Sequence, residues 1–142
     1  MFTWNVIQNQ QSNLSSEILL EESKRVLSPR RGQEPAYALD MSVTLAEEIA
    51  AVVTFYASYP GLDYSRASAA YLCHFAEDDP FEPAESVAEM EQALQAAGRP
   101  VTCYTYPGTK HWFFEENRPE YDAQAARLAW ERTIAFLHER LE

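Results

Sequence analysis

The sequence predicts an α/β domain of about three parallel strands with flanking helices. Three observations carry this. Residues 49–57 (I-A-A-V-V-T-F-Y-A) form a nearly unbroken apolar run rich in β-branched and aromatic side chains. Such a run suits a strand buried on both faces, which requires a sheet covered by helices above and below. Two further strand-like runs, 69–75 and 101–106, are separated by one well-bounded amphipathic helix, the pattern of a crossover between parallel strands. Finally, 142 residues with 46% apolar and 13% aromatic side chains are enough for one folded domain with a modest core.

Taken in order, residues 1–35 differ in composition from the rest, and they are expected to be a divergent N-terminal segment, partly helical or poorly ordered. Gln and Asn crowd residues 8–13, Ser15 and Ser16 can cap a short helix to about Leu27, and Ser28-Pro29 ends it. A second, weakly periodic helix is expected over 36–48. The first strand over 49–57 is closed by the turn residues Ser58-Tyr59-Pro60-Gly61, and the strand over 69–75 opens into the acidic loop Ala76-Glu77-Asp78-Asp79-Pro80. In the next helix Pro83 suits the first helical position and Glu85 the positive end of the dipole. Gly98 and Pro100 stop it, and Val87, Met90, Leu94 and Ala97 share a face. Val101 to Tyr106 then favour a pleated strand that Pro107-Gly108 should end. A last helix over 123–141 carries Ala126, Ala129, Trp130, Thr133, Leu137 and Leu141 as its inward stripe. There is no internal repeat and no second domain.

A net charge of −11, from 22 acidic and 11 basic side chains, disfavours nucleic acid and anionic membrane as partners. No apolar run approaches the roughly 18 residues of a membrane span, and the start lacks the basic and apolar regions of a secretion signal, so a cytoplasmic location is expected. Cys73 and Cys103 lie in strand-like runs without zinc-ligand spacing, and buried reduced thiols are the expectation. The D-D-P run lacks the spacing of a calcium loop, so neither a metal nor a cofactor is indicated.

His111 follows the Pro107-Gly108 turn at the C-terminal end of a strand, ahead of the apolar wall Trp112, Phe113 and Phe114. A lone histidine beside aromatics is more often a packing residue. Parallel strands joined by one helix, however, are usually neighbours. The acidic loop would then lie beside His111, at the sheet edge where α/β chemistry is built. A carboxylate there can fix the imidazole tautomer. Asp79 is the best candidate, because Pro80 stiffens the backbone behind it, while Glu77, Asp78 and Glu82 read as a solvated acidic loop.

The runs F-Y-A-S-Y-P-G, H-F-A-E-D-D-P-F-E-P, Y-P-G-T-K-H-W-F-F and R-P-E-Y-D-A-Q-A-A-R-L-A-W-E-R-T-I-A-F-L occur in this order. Together they resemble the C-terminal half of the dienelactone hydrolase family, enzymes of the α/β-hydrolase fold. The resemblance covers roughly 49–141 and makes 36–142 the C-terminal half of such a domain, a partial α/β-hydrolase fold. It implies Asp79 as triad acid and His111 as triad base, in the Asp-then-His order of the fold. It implies a small-molecule carboxylic ester or lactone as substrate.

The resemblance also exposes departures. The family's nucleophile is a Cys or Ser on a G-x-C-x-G elbow about twenty residues before the end of the first strand. That stretch falls near Gly32-Gln33-Glu34-Pro35-Ala36, where Glu34 stands for the thiol. Pro35 has no N–H to offer an oxyanion hole. Cys73 and Cys103 lie in later strands and cannot substitute. Where relatives acting on anionic dienelactone place an arginine, four residues beyond the histidine, this sequence has Glu115, so a neutral or differently shaped ester is expected. The earlier strands of the fold are absent, which leaves the apolar edge of 49–57 uncovered. Homo-oligomer formation through that edge, docking of residues 1–35 over it, or poor solubility are the expected outcomes. The reading is therefore a hydrolase-family protein with acid and base but no nucleophile, inactive alone. The alternatives are an active ester hydrolase completed by a partner chain, or a non-catalytic interaction module using its open edge.

Overall fold

A computed structural model describes residues 4–8 and 37–141. The elements are β1 (Trp4–Gln8), α1 (Tyr37–Thr44), β2 (Ile49–Phe55), β3 (Ala70–Asp78), α2 (Ala84–Ala96), β4 (Val101–Lys110) and α3 (Ala123–Leu141), with a 3₁₀ turn at Tyr64–Arg66. The strands form one parallel sheet in the order β1-β2-β3-β4. The helix suggested after Ser15 and the elbow-equivalent stretch 32–36 lie outside the described residues.

Strand periodicity sorts the core into two layers. Ile49, Val52, Tyr71, Cys73 and Phe75 face one side of the sheet, where Leu39 of α1 and Met90 and Leu94 of α2 close over them. Ala51, Val53, Phe55, Leu72 and Ala76 face the other, against Ala125, Ala129 and Leu137 of α3. β2 is buried on both faces along almost its whole length, as its composition requires.

Three expectations are corrected. Trp4–Gln8 pairs in parallel with β2, so the β2 edge expected to be uncovered carries a short outer strand from the chain's own N-terminal segment. β4 does not stop at Tyr106 but runs to Lys110, because Pro107 and Gly108 sit in a bulge where the β3 register shifts between Ala76 and Asp78. Pro is tolerated on an outer strand at a bulge, and Gly108 supplies the φ of +71° that a side chain would resist. The Gly108 N–H finds a partner in the Glu77 carboxylate at 2.6 Å, which ties the bulge to β3. Trp130 is 40% exposed, since it lies one position beyond the buried Ala126, Ala129, Thr133, Leu137 stripe and leans toward Phe114 instead.

Candidate active site

The last described pair in the β3–β4 ladder is Asp78 opposite Lys110. Asp79 and His111 are the next residue on each chain, so strand register alone brings them side by side. His111 Nδ1 and Asp79 Oδ2 are 2.6 Å apart, and both side chains are almost fully buried. The second carboxylate oxygen, Oδ1, accepts the Phe81 backbone N–H at 2.9 Å across Pro80. With both oxygens engaged, the carboxylate cannot turn away from the ring. A carboxylate only accepts, so opposite it Nδ1 is the donor.

Aromatic rings fix the imidazole plane. Tyr56 lies 4.8 Å from it, centroid to centroid, while Trp112 and Phe81 meet it edge-on at 4.8 and 5.0 Å. Tyr56 and Trp112 hold left-handed backbone conformations, with φ of 56° and 74°. Such conformations cost about 1–3 kcal/mol each in non-glycine residues and persist where the surroundings over-determine them. The Tyr56 hydroxyl accepts the Phe114 N–H at 2.7 Å, and burial raises its ionisation well above the usual phenol range. Arg118 stacks over the Trp112 ring at 4.1 Å.

Two carboxyls that sequence reasoning placed differently belong to this neighbourhood. Glu82, expected in a solvated loop, is half-buried and accepts the Ser58 hydroxyl. Burial, with a smaller push from Asp79, raises its pKa to about 7. Glu77 is exposed but held by Gly108, and Asp78 is part of β3. Glu115 is 1% exposed, with neither carboxyl oxygen hydrogen-bonded, and burial raises its pKa to about 7 against the opposing Arg118 charge. No local signal marks a Glu as buried. Only the apolar company of W-F-F before Glu115 hinted at it.

His74 is a different case. It is wholly buried between β3 and α3, with Nδ1 2.8 Å from the Tyr106 hydroxyl and Nε2 2.9 Å from Thr133 Oγ1. Thr133 donates its own proton to the Ala129 carbonyl, so Nε2–H donates to Thr133 and Nδ1 accepts from Tyr106. Burial first, and Arg132 second, push its pKa down to about 3. It is a neutral core group. Among the described residues no group of three or more His, Cys, Asp or Glu could hold a metal ion, and no helix is long and apolar enough to cross a membrane.

Asp79 and His111 thus meet as a buried pair at the C-terminal ends of adjacent parallel strands. Residues 36–141 match the model of the dienelactone hydrolase family. The chain belongs to that family. Among curated relatives it is 39% identical over 71 residues to a protein of Azospirillum brasilense named as a carboxymethylenebutenolidase, covering 49% of this chain and 30% of that one. It is 37% identical over 57 residues to an Escherichia coli protein of the same name, covering 40% and 21%. The chain thus spans less than a third of the length of these relatives. Among solved structures, the fold resembles a dienelactone hydrolase-like promiscuous phosphotriesterase from metagenomic libraries. The TM-score is 0.69 at 19% identity, over 84% of this chain and 54% of that one. It also resembles esterase 2 of Thermogutta terrifontis, with TM-score 0.53 at 19% identity over 68% and 43%. These likenesses establish the α/β-hydrolase arrangement of the sheet and its flanking helices.

Proposed function

We propose that the protein carries the acid and base of a carboxylic ester or lactone hydrolase, Asp79 and His111, without the nucleophile that the family's chemistry needs, and that it does not turn over esters alone. The observation that carries the first half is the 2.6 Å contact between buried Asp79 and His111, with the remaining carboxylate oxygen held by Phe81 N–H. In an acyl transfer, His111 Nε2 would take the proton of an attacking group and return it to the leaving oxygen, while Asp79 holds the tautomer and stabilises the imidazolium. The second half rests on sequence: no Ser or Cys flanked by glycines precedes β2, and Glu34 and Pro35 occupy the corresponding stretch. Loss of nucleophile and oxyanion donor together removes most of what survives a single triad deletion.

A second reading keeps the pair in use, with a partner chain supplying the nucleophile for a small, neutral ester. It draws support from the preserved burial and double hydrogen bonding of Asp79, which a relic has no need to maintain. The two are separated by hydrolysis of p-nitrophenyl acetate by the chain alone and by His111→Ala. Equal rates, both at the level of free imidazole, are expected. Turnover that His111→Ala abolishes would refute the proposal.

A further inference from the structure

We propose that Cys73 and Cys103 form an oxidisable dithiol that closes into a disulfide between β3 and β4, a modification site set behind the Asp79–His111 pair. The two are direct partners in the ladder. Side chains at one register position of adjacent parallel strands point to the same face, and both cysteines pack into the core layer under α1 and α2. Neighbouring strands run about 4.7–4.9 Å apart, inside the span of about 4.4–6.8 Å between α-carbons that a disulfide bridges. The thiols are near enough that each perturbs the other's ionisation, and both are free in this structure. They are also the only cysteines in the sequence, so no rival pairing exists within one chain.

Access to the pair is unequal. Cys73 is completely buried, whereas Cys103 is partly exposed and meets a solvent-borne oxidant first. With hydrogen peroxide as oxidant, the Cys103 sulfur attacks one peroxide oxygen, the O–O bond breaks, and water leaves with the thiol proton, giving a sulfenic acid. The Cys73 sulfur then attacks Cys103 sulfur, the S–O bond breaks, and a second water carries away the Cys73 proton. Two thiols are oxidised by two electrons, one peroxide is reduced to two waters, and the balance closes. Cys73 is the register partner of Cys103, which places its sulfur for the internal attack ahead of a second oxidant molecule. The resulting ring encloses residues 74–102, hence α2 and Asp79, and links the two strands whose ends present acid and base. Closing a loop of this kind restricts the unfolded chain more than the folded one, so the oxidised protein should resist unfolding better.

The test is treatment of the folded wild-type protein with hydrogen peroxide, with circular dichroism recorded throughout. Free thiols are counted after denaturation, and intact mass and peptide maps follow. The expected result is loss of both thiols together and a monomer lighter by two hydrogens. One cross-linked peptide pair should appear, reversed by dithiothreitol, with a higher Tm before reduction. In Cys73→Ala, Cys103 should instead proceed to sulfinic acid. Cys103 over-oxidised in the wild type while Cys73 stays free would overturn the proposal, as would a disulfide-linked dimer. A cross-link that forms only once the dichroism signal has collapsed would do the same.

Discussion

Acidification should weaken the fold through His74, which bonds Tyr106 of β4 and Thr133 of α3. In the folded protein His74 is held neutral, with its pKa pushed from 6.5 down to about 3. The unfolded chain therefore binds one more proton than the folded one between those values. Stability contributed by the neutral ring is complete above pH 6.5 and is lost as pH falls toward 3, at about 1.4 kcal/mol per pH unit in mid-range. Between pH 6 and pH 4 this comes to about 2.5 kcal/mol, a large share of the 5–15 kcal/mol typical of a domain. Glu82 and Glu115 work in the opposite direction. Their raised pKa values favour the fold below about pH 4.5 and cost stability as pH climbs through 7. The His74 contribution is therefore isolated by difference, comparing urea unfolding of the wild type and His74→Asn at pH 4, 5 and 6. The wild type should lose stability relative to the variant as pH falls. A difference that stays constant across that range would refute the buried, neutral assignment of His74 and its hydrogen bonds to Tyr106 and Thr133.

Three further outcomes follow from the same geometry. Asp79→Asn should leave the fold intact at a cost of about 1–3 kcal/mol, while the low-field Nδ1 proton of His111 disappears from the NMR spectrum. Retention of that proton would mean Asp79 is not its acceptor. Glu115→Gln should be more stable than wild type above pH 7 and lose that advantage below about pH 5, where Glu115 is uncharged in folded and unfolded chains alike. Thermal unfolding across pH 5 to 8.5 checks the sign. Gly108→Val should destabilise by about 1–3 kcal/mol, because the +71° φ is costly for a β-branched residue. Unchanged Tm would show that the bulge relaxes freely.

Much of this architecture is legible in the sequence where local chemistry and global fold agree. The apolar run of β2 has no soluble alternative to burial on both faces. Pro83, Gly98 and Pro100 bound α2, whose described ends fall within a residue or two of Pro83 and Gly98. The Asp79–His111 pair is readable because a crossover makes neighbours of β3 and β4, and neighbours present their ends together. What fails to show is whatever depends on partners distant in sequence. Trp4–Gln8 is short and flanked by Gln and Asn, and only the edge of β2 makes it a strand. The Pro107-Gly108 turn signal is correct about a break in regular pairing, but the outer position of β4 turns the break into a bulge instead of an end. The burial of Glu82 and Glu115 is set by apolar groups brought over them from other elements. The opposition of Cys73 and Cys103 is a matter of register, which composition does not encode.

The proposed function has Asp79 and His111 in place as acid and base while the group that attacks a carbonyl is missing. It is tested most directly by intact mass spectrometry after brief exposure to p-nitrophenyl acetate or a fluorophosphonate. An unmodified mass is expected, or slow modification that is indifferent to His111→Ala. A single stoichiometric adduct on a serine or cysteine, formed only when His111 is present, would contradict it.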